Sequence, residues 1–206
     1  MKKMLLATTS PGKRRELAEH LKDLPLEILT LCDYSEIAPC IEDGATFSEN
    51  AEKKARYYHR CTGLLTLADD SGLQVEALNG APGVQSARFA GEGATDADRI
   101  RKLLAMMRGV PPEHRSAQFV CALCAIDKDR QIFAAQAVCA GSITEAPRGH
   151  HGFGFDPIFE IAGLGQTMAE VSPPLKNLRG HRGQALLIGR AALRNYLDKF
   201  EGDTLK

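Results

Sequence analysis

No apolar run in this 206-residue chain approaches the length needed to cross a bilayer, which argues against a transmembrane helix. An excess of one charge is missing too. Lys and Arg number 26, and so do Asp and Glu. That balance argues against a nucleic-acid coat or a membrane-surface protein, since both need net positive charge. It still allows a local basic pocket to face an acidic one. The opening MKKMLLATTSPGK carries two lysines but an apolar run too short for a signal-peptide core, so a cytoplasmic location is expected. A cysteine metal set is also lacking. Cys121 and Cys124 form one C-x-x-C inside QFVCALCAID, which reads as a buried strand. Residues three apart on a strand face opposite ways, and no second C-x-x-C or H-x-x-x-H completes a zinc set. Ordinary core thiols are the reading. With no repeat, low-complexity tract or linker, residues 1–206 read as a single domain.

Apolar residues at 44% supply enough material for a core. Met4–Ala7 reads as a strand, TTSPG as a tight loop and KRRELAEHLKD as a helix with Leu17 and Leu21 on one face. LEILTL suggests a second strand. Thr46 stands three residues before Glu49, a capping-box spacing, so a helix should start there and end near Gly63. LTLADDSG predicts a strand whose tip holds Asp69 and Asp70. A Gly-Pro-rich loop and a helix ADRIRKLLAMMRG follow, and QFVCALCAID and QIFAAQAVCAGSI flank KDR as a long hairpin. RGHHGFGFDPIF reads as an aromatic-glycine loop, and GHRGQALLIGRAALRNYLDKF as the last helix. Early alternation of strands and helices followed by a hairpin predicts an α/β fold with a mixed sheet.

Four stretches carry chemistry. ATTSPGK places Thr8, Thr9, Ser10, Pro11, Gly12 and Lys13 between a strand and a helix N-terminus, the logic of a phosphate cradle. A plain turn with Ser10 as N-cap and a solvated Lys13 fits equally. Asp69 and Asp70 repel each other unless a divalent cation, a lysine cluster or a shared proton intervenes. A metal role, with Glu42 of IEDG as second ligand, is favoured over DDSG as a turn that caps backbone amides. Phe153 and Phe155 lie among glycines in GFGFDP, suited to stacking on a planar base, or else to plugging Phe153 into the core. Asp156 could accept from a ring N–H. Lys176, His181 and Arg182 in LKNLRGHRGQA lie where the last helix begins. Cations there oppose the helix dipole, which suggests that His181 and Arg182 point outward at an acceptor-rich ligand rather than lying as solvated surface charge.

Taken together, LLATTSPGKRREL, TFSENAEKKA, LADDSGL, GAPGVQSAR, GFGFDPIF and KNLRGHRGQAL, in this order, resemble the segments of the inosine triphosphate pyrophosphatase family over essentially the whole chain. The resemblance implies a long mixed β-sheet with flanking helices, forming two lobes around a central cleft, and a homodimer. It implies Mg²⁺-dependent cleavage of the α–β phosphate bond of ITP, dITP and XTP, which keeps these nucleotides out of nucleic acid. Position by position, Thr8 to Lys13, Lys54 and Arg88 resemble triphosphate contacts. Glu42 and Asp70, with Asp69 beside them, resemble the metal ligands, and Asp70 also the catalytic base. Ser71 matches a substrate contact. Phe153, Gly154, Phe155, Asp156, Lys176, His181 and Arg182 resemble the base pocket. Ser10, Phe155, Arg179 and Gly180 depart from the family pattern, which bears on base preference more than on the reaction.

The implied chemistry is coherent. Lys13, Lys54 and Mg²⁺ would offset the triphosphate charge while Asp70 orients water in line with the departing pyrophosphate. Hypoxanthine shows an O6 acceptor where adenine shows an N6 donor, so donors from His181 or Arg182 would favour the former. Two rivals stand beside this reading. TTSPGKRREL is similar to the opening of the Maf-type nucleotide pyrophosphatases, which lack the GFG-x-DP and HRG elements. A nucleotide-binding sensor without turnover is the other, although it gains little from acids beside phosphates.

Overall fold

The computed structural model describes the backbone of residues 1–204 and the side chains through residue 199; residues 205 and 206 of the expected 1–206 domain lie outside the described residues. In chain order the elements are β1 (Lys2–Ala7), α1 (Pro11–Leu21), β2 (Leu26–Thr30), α2 (Phe47–Thr62), β3 (Leu65–Val75), α3 (Asp96–Met106), β4 (Ser116–Asp127), β5 (Arg130–Ile143), β6 (Phe159–Ile161), α4 (Pro173–Arg179) and α5 (His181–Thr204). The strands form one six-stranded sheet in the order β2-β1-β3-β4-β5-β6. β1 runs parallel to β2 and β3, and β5 runs antiparallel to β6, so the sheet is mixed as expected.

Local chemistry accounts for the boundaries. Ser10 caps α1 with Pro11 in the first turn, a position where the missing proline N–H is harmless. Thr46 and Glu49 form the expected reciprocal capping box of α2, which ends on Gly63 in the left-handed conformation. The β4–β5 link has Lys128 and Asp129 at positive φ, the geometry of a two-residue hairpin turn.

The chain divides by internal contacts into two compact units. Unit 1 comprises residues 1–70, 121–137 and the chain from Arg182 on; unit 2 comprises residues 71–120 and 138–181. Unit 1 buries Met4 and Leu6 of β1, Leu65 and Leu67 of β3, and Cys121, Leu123 and Ala125 of β4 against Leu17 and Leu21 of α1 and Leu186 and Leu193 of α5. Every contributing strand position is two residues from the next, as a pleated strand requires. Unit 2 has its own core, from Leu73 and Val75 through Leu103 and Met107 to Phe119, Phe155, Phe159 and Met168.

Two expectations are corrected. The strand carrying the acids does not end at them: β3 continues through Asp69, Asp70, Ser71 and Gly72 for eleven residues in all. Gly72 there is no turn residue. A Cβ on it would lie 2.3 Å from Ser86 Oγ and 2.6 Å from the Gly83 carbonyl oxygen. Its lack of a side chain lets the Gly83–Arg88 segment approach the strand, and Ser86 Oγ accepts from Leu73 N at 2.9 Å. Lys176 does not open the last helix but lies on α4, which closes with the Gly180 amide donating to the Lys176 carbonyl at 2.7 Å before α5 starts. No helix among the described residues is long and apolar enough to cross a membrane.

Candidate functional site

Unit 1 gathers its ionic groups from four elements and a loop. Adjacent residues on a strand point to opposite faces, and this resolves the acid pair of β3. Asp69 shares the face of Leu65 and Leu67, which α1 and α5 cover, and is fully buried. Its Oδ1 lies 2.5 Å from Lys13 Nζ of α1, an ion pair. Its Oδ2 accepts from Arg182 Nε of α5 at 3.0 Å and from the Cys121 thiol of β4 at 3.2 Å. Arg182 Nη1 in turn donates to Glu16 of α1. Burial alone would push the Asp69 carboxyl up, but Arg182 and Lys13 override it and hold the group well below the usual carboxylate range. Burial likewise drives the Cys121 thiol well above its ordinary value, with Asp69 adding to the effect.

Asp70 has a different setting. Lys54 lies on the buried stripe of α2 formed by Phe47, Asn50, Ala51, Ala55 and Tyr58. Its Nζ donates to the Asp69 main-chain oxygen at 3.0 Å, pairs with Glu42 at 2.7 Å and lies 4.0 Å from Asp70 Oδ1. Asp70 Oδ2 is buried without a hydrogen-bond partner among the described residues. Burial is the largest influence on Asp70 and pushes its carboxyl up to about 6, against the opposing pull of Lys54 and Lys13. Lys54 is raised as well, for the opposite reason: burial would lower it, but Glu42 and Asp70 lift it above the ordinary lysine value. One acid of the pair is locked as an anion; the other is poised.

The loop before α1 is internally bonded. Thr8 is buried and its Oγ1 accepts from Ser10 N at 3.2 Å, while Thr9 and Pro11 are exposed and Gly12 is buried. Ser10 is the N-cap of the plain-turn reading, yet Lys13 is not solvated, being held by Asp69. Ser71, the first residue of unit 2, is half-buried on β3.

Unit 2 builds a separate cluster around GFGFDP. Asp156 is buried, accepts from Phe153 N at 2.8 Å and pairs with Lys176 through the same oxygen. Lys176 Nζ lies 4.7 Å from the centre of the Phe153 ring, a cation–π contact. Gly154 N donates to Asp96 Oδ2 of α3 at 2.7 Å, and Asp96 is paired with Arg99, whose Nε donates to the Ala87 carbonyl. The plug reading of this loop applies to the other phenylalanine. Phe155 is the buried one, edge-on to Phe89 in the core, whereas Phe153 keeps part of its surface. His181 stacks on Phe119 with ring centres 4.7 Å apart and planes 13° apart. Arg88 is exposed, with Nε donating to Gln85 Oε1 at 2.6 Å.

The structure thus brings Lys13, Asp69 and Arg182 together, and separately Glu42, Lys54 and Asp70; Phe153, Asp156 and Lys176 form a third set. It corrects three expectations. His181 and Arg182 do not point outward: both are buried, because carboxylates and an aromatic ring offset the helix-dipole penalty that motivated the expectation. Asp69 is not open to a metal, since both its oxygens face cations or a thiol. Phe155 is a core residue rather than a stacking platform. Glu16, Cys121 and Asp96 were missed. Glu16 had a signal, standing one helical turn after Lys13 on α1; Cys121 and Asp96 had none that is local in sequence.

The model of the Ham1 family matches residues 4–188. A dITP/XTP pyrophosphatase of Syntrophobacter fumaroxidans is 48% identical over 184 residues, 89% of this chain and 78% of that one. One from Geobacillus kaustophilus is 46% identical, covering 90% of this chain and 91% of its own. Among solved structures, a HAM1 protein from Coxiella burnetii is 40% identical with a TM-score of 0.83, covering 97% of this chain and all of that one. A nucleoside-triphosphatase, or dITP/XTP pyrophosphatase, from Mycobacterium abscessus is 40% identical with a TM-score of 0.73, covering 90% and 96%.

Proposed function

The chain belongs to the Ham1 family, and from that premise we propose that it is a pyrophosphatase that hydrolyses dITP, ITP and XTP to the monophosphate and pyrophosphate. The names of the curated relatives support the reaction. The observation that carries it in this chain is Asp70: a buried carboxyl, raised to about 6, beside Lys54 and Glu42. A raised carboxyl in a cation-lined setting suits a group that orients and deprotonates water near neutral pH.

The donor set also fits a divalent cation. The centre of unit 1 holds three cations, Lys13, Lys54 and Arg182, against four carboxylates, Glu16, Glu42, Asp69 and Asp70. Asp70 Oδ2 is a buried oxygen without a hydrogen-bond partner among the described residues. Two carboxylates suit Mg²⁺, an ion that keeps waters and phosphate oxygens in its shell. Glu42 and Asp70 would hold it, and it would supply charge neutralisation at the bridging phosphate oxygens. Lys13 and Lys54 bind the negatively charged tail, and the Asp70 carboxylate takes the proton from water. On unit 2, the half-buried Phe153 supplies a face for the purine, and Asp156 and Lys176 hold that ring in place. Ser71 and Arg88 are assigned as further substrate contacts. We include in the proposal a homodimer and a cytoplasmic location.

The test is pyrophosphate release from a panel of dITP, XTP, dATP, dGTP and dTTP with and without Mg²⁺. Metal-dependent turnover of dITP and XTP well above the others is expected. Turnover of dTTP instead would favour the Maf-type chemistry, tight dITP binding without product the sensor.

A further inference from the structure

Arg182 carries more than its sequence context suggests. In unit 1 it belongs to a line of alternating charge: Glu16, Arg182, Asp69, Lys13. The two middle members are at most 2% exposed, while the two ends reach solvent, Lys13 with 18% of its side chain exposed and Glu16 with 16%. The line is neutral in sum. A fully buried carboxylate with a single cation would hold that cation tightly. Asp69 instead divides its charge, Oδ1 toward Lys13 and Oδ2 toward the rigid guanidinium fork and the Cys121 thiol. Removing Arg182 would leave the Asp69 carboxylate with Lys13 as its one remaining cation among these residues, beside the Cys121 thiol, and free it to rotate. Either change takes Lys13 away from an incoming phosphate.

We propose that Arg182 is a positioning residue for the phosphate end of the substrate, acting through Asp69 on Lys13, rather than a reader of the base. The proposal rests on the reading that unit 1 handles the triphosphate. It separates from base recognition because its effect is the same for every nucleotide and extends to a ligand with no base at all.

The experiment compares wild type with Arg182→Gln, Arg182→Lys and Glu16→Gln in two ways. Steady-state kinetics on dITP and dATP give kcat and KM separately; calorimetry gives the affinity for inorganic tripolyphosphate, the base-free probe. Losing one charge-assisted hydrogen bond predicts that Arg182→Gln weakens tripolyphosphate binding by about 10–100-fold and raises KM for dITP in parallel. The dITP-to-dATP ratio of kcat/KM stays within about twofold of wild type, the scatter expected of a base-independent change. Arg182→Lys restores part of the loss, and Glu16→Gln shows a smaller loss in the same direction. A collapsed dITP-to-dATP ratio with unchanged tripolyphosphate affinity would overturn the proposal in favour of base reading. A lowered melting temperature with wild-type tripolyphosphate affinity in the folded fraction would overturn it in favour of a purely structural role. Should Arg182→Gln fail to fold, Arg182→Lys and Glu16→Gln carry the same comparison. If the wild type fails to turn over dITP, the functional reading falls, while the tripolyphosphate comparison still decides the role of Arg182.

Discussion

The polar centre of unit 1 and that of unit 2 are built on opposite plans. In unit 2 Asp156 and Lys176 are both buried, pair directly and lie against the Phe153 ring. In unit 1 Lys13, Lys54 and Arg182 lie among Glu16, Glu42, Asp69 and Asp70, drawn from α1, α2, β3, α5 and the Glu42 loop, and Asp70 Oδ2 has no hydrogen-bond partner among the described residues. A direct ion pair fixes shape, whereas a buried carboxyl oxygen short of a partner is open to a proton or a ligand. On the proposed function, this is the division expected between gripping a ring and breaking a phosphoanhydride bond.

The comparison breaks most visibly at Asp70. Asp70→Asn should lower kcat by about 10²–10⁴-fold, the range of a lost general base, with no loss of melting temperature at pH 7. A rate within about tenfold of wild type would take Asp70 out of the chemistry. In unit 2 the opposite pattern is expected. Lys176→Met removes the cation that pairs with the buried Asp156 inside unit 2, and should destabilise the fold by about 3–5 kcal/mol in urea titration. Adding Asp156→Asn should recover most of that; no recovery would mean the pair is not the source of the loss.

The third expectation concerns pH. The Asp70 carboxyl is raised to about 6 in the folded chain, against about 3.9 when unfolded. Its folded form therefore favours the proton. Its contribution to stability is fully present below about pH 4 and is lost as pH rises through about 6, a total on the order of 3 kcal/mol. Relative to Asp70→Asn, wild type should be equally stable at about pH 4 and less stable at about pH 7. The same ionisation should appear as a limb in kcat/KM that climbs with unit slope to about pH 6. The smallest effect separates the two phenylalanines. Phe155→Ala should cost about 3–5 kcal/mol of stability as a core deletion. Phe153→Ala should be nearly silent in stability and raise KM for dITP by roughly tenfold, the size of one lost stacking contact. Equal stability losses would erase the distinction between platform and core.

Where the deciding interaction was local, the sequence was readable. Thr46 and Glu49 announced the start of α2, Gly63 its end, and Lys128 with Asp129 the hairpin. The acids stood out in the sequence, but their strand was expected to end at Asp70, because local rules do not include cations arriving from elsewhere. Arg182 reaches Asp69 across 113 positions and Glu16 across 166. The same distance effect misassigned Arg182, whose helix-dipole penalty is real but smaller than the attraction of two carboxylates. Phe153 and Phe155 look alike in sequence; which one fills unit 2 depends on Phe89, in a segment far upstream.

β3 lies between β1 and β4 in the sheet and carries Asp70 in mid-strand. The amide of such a residue exchanges with solvent deuterium only when the sheet itself opens. Its carboxylate is therefore anchored within unit 1, and warming that frays the surface loops should leave its place in that unit unchanged until the unit melts.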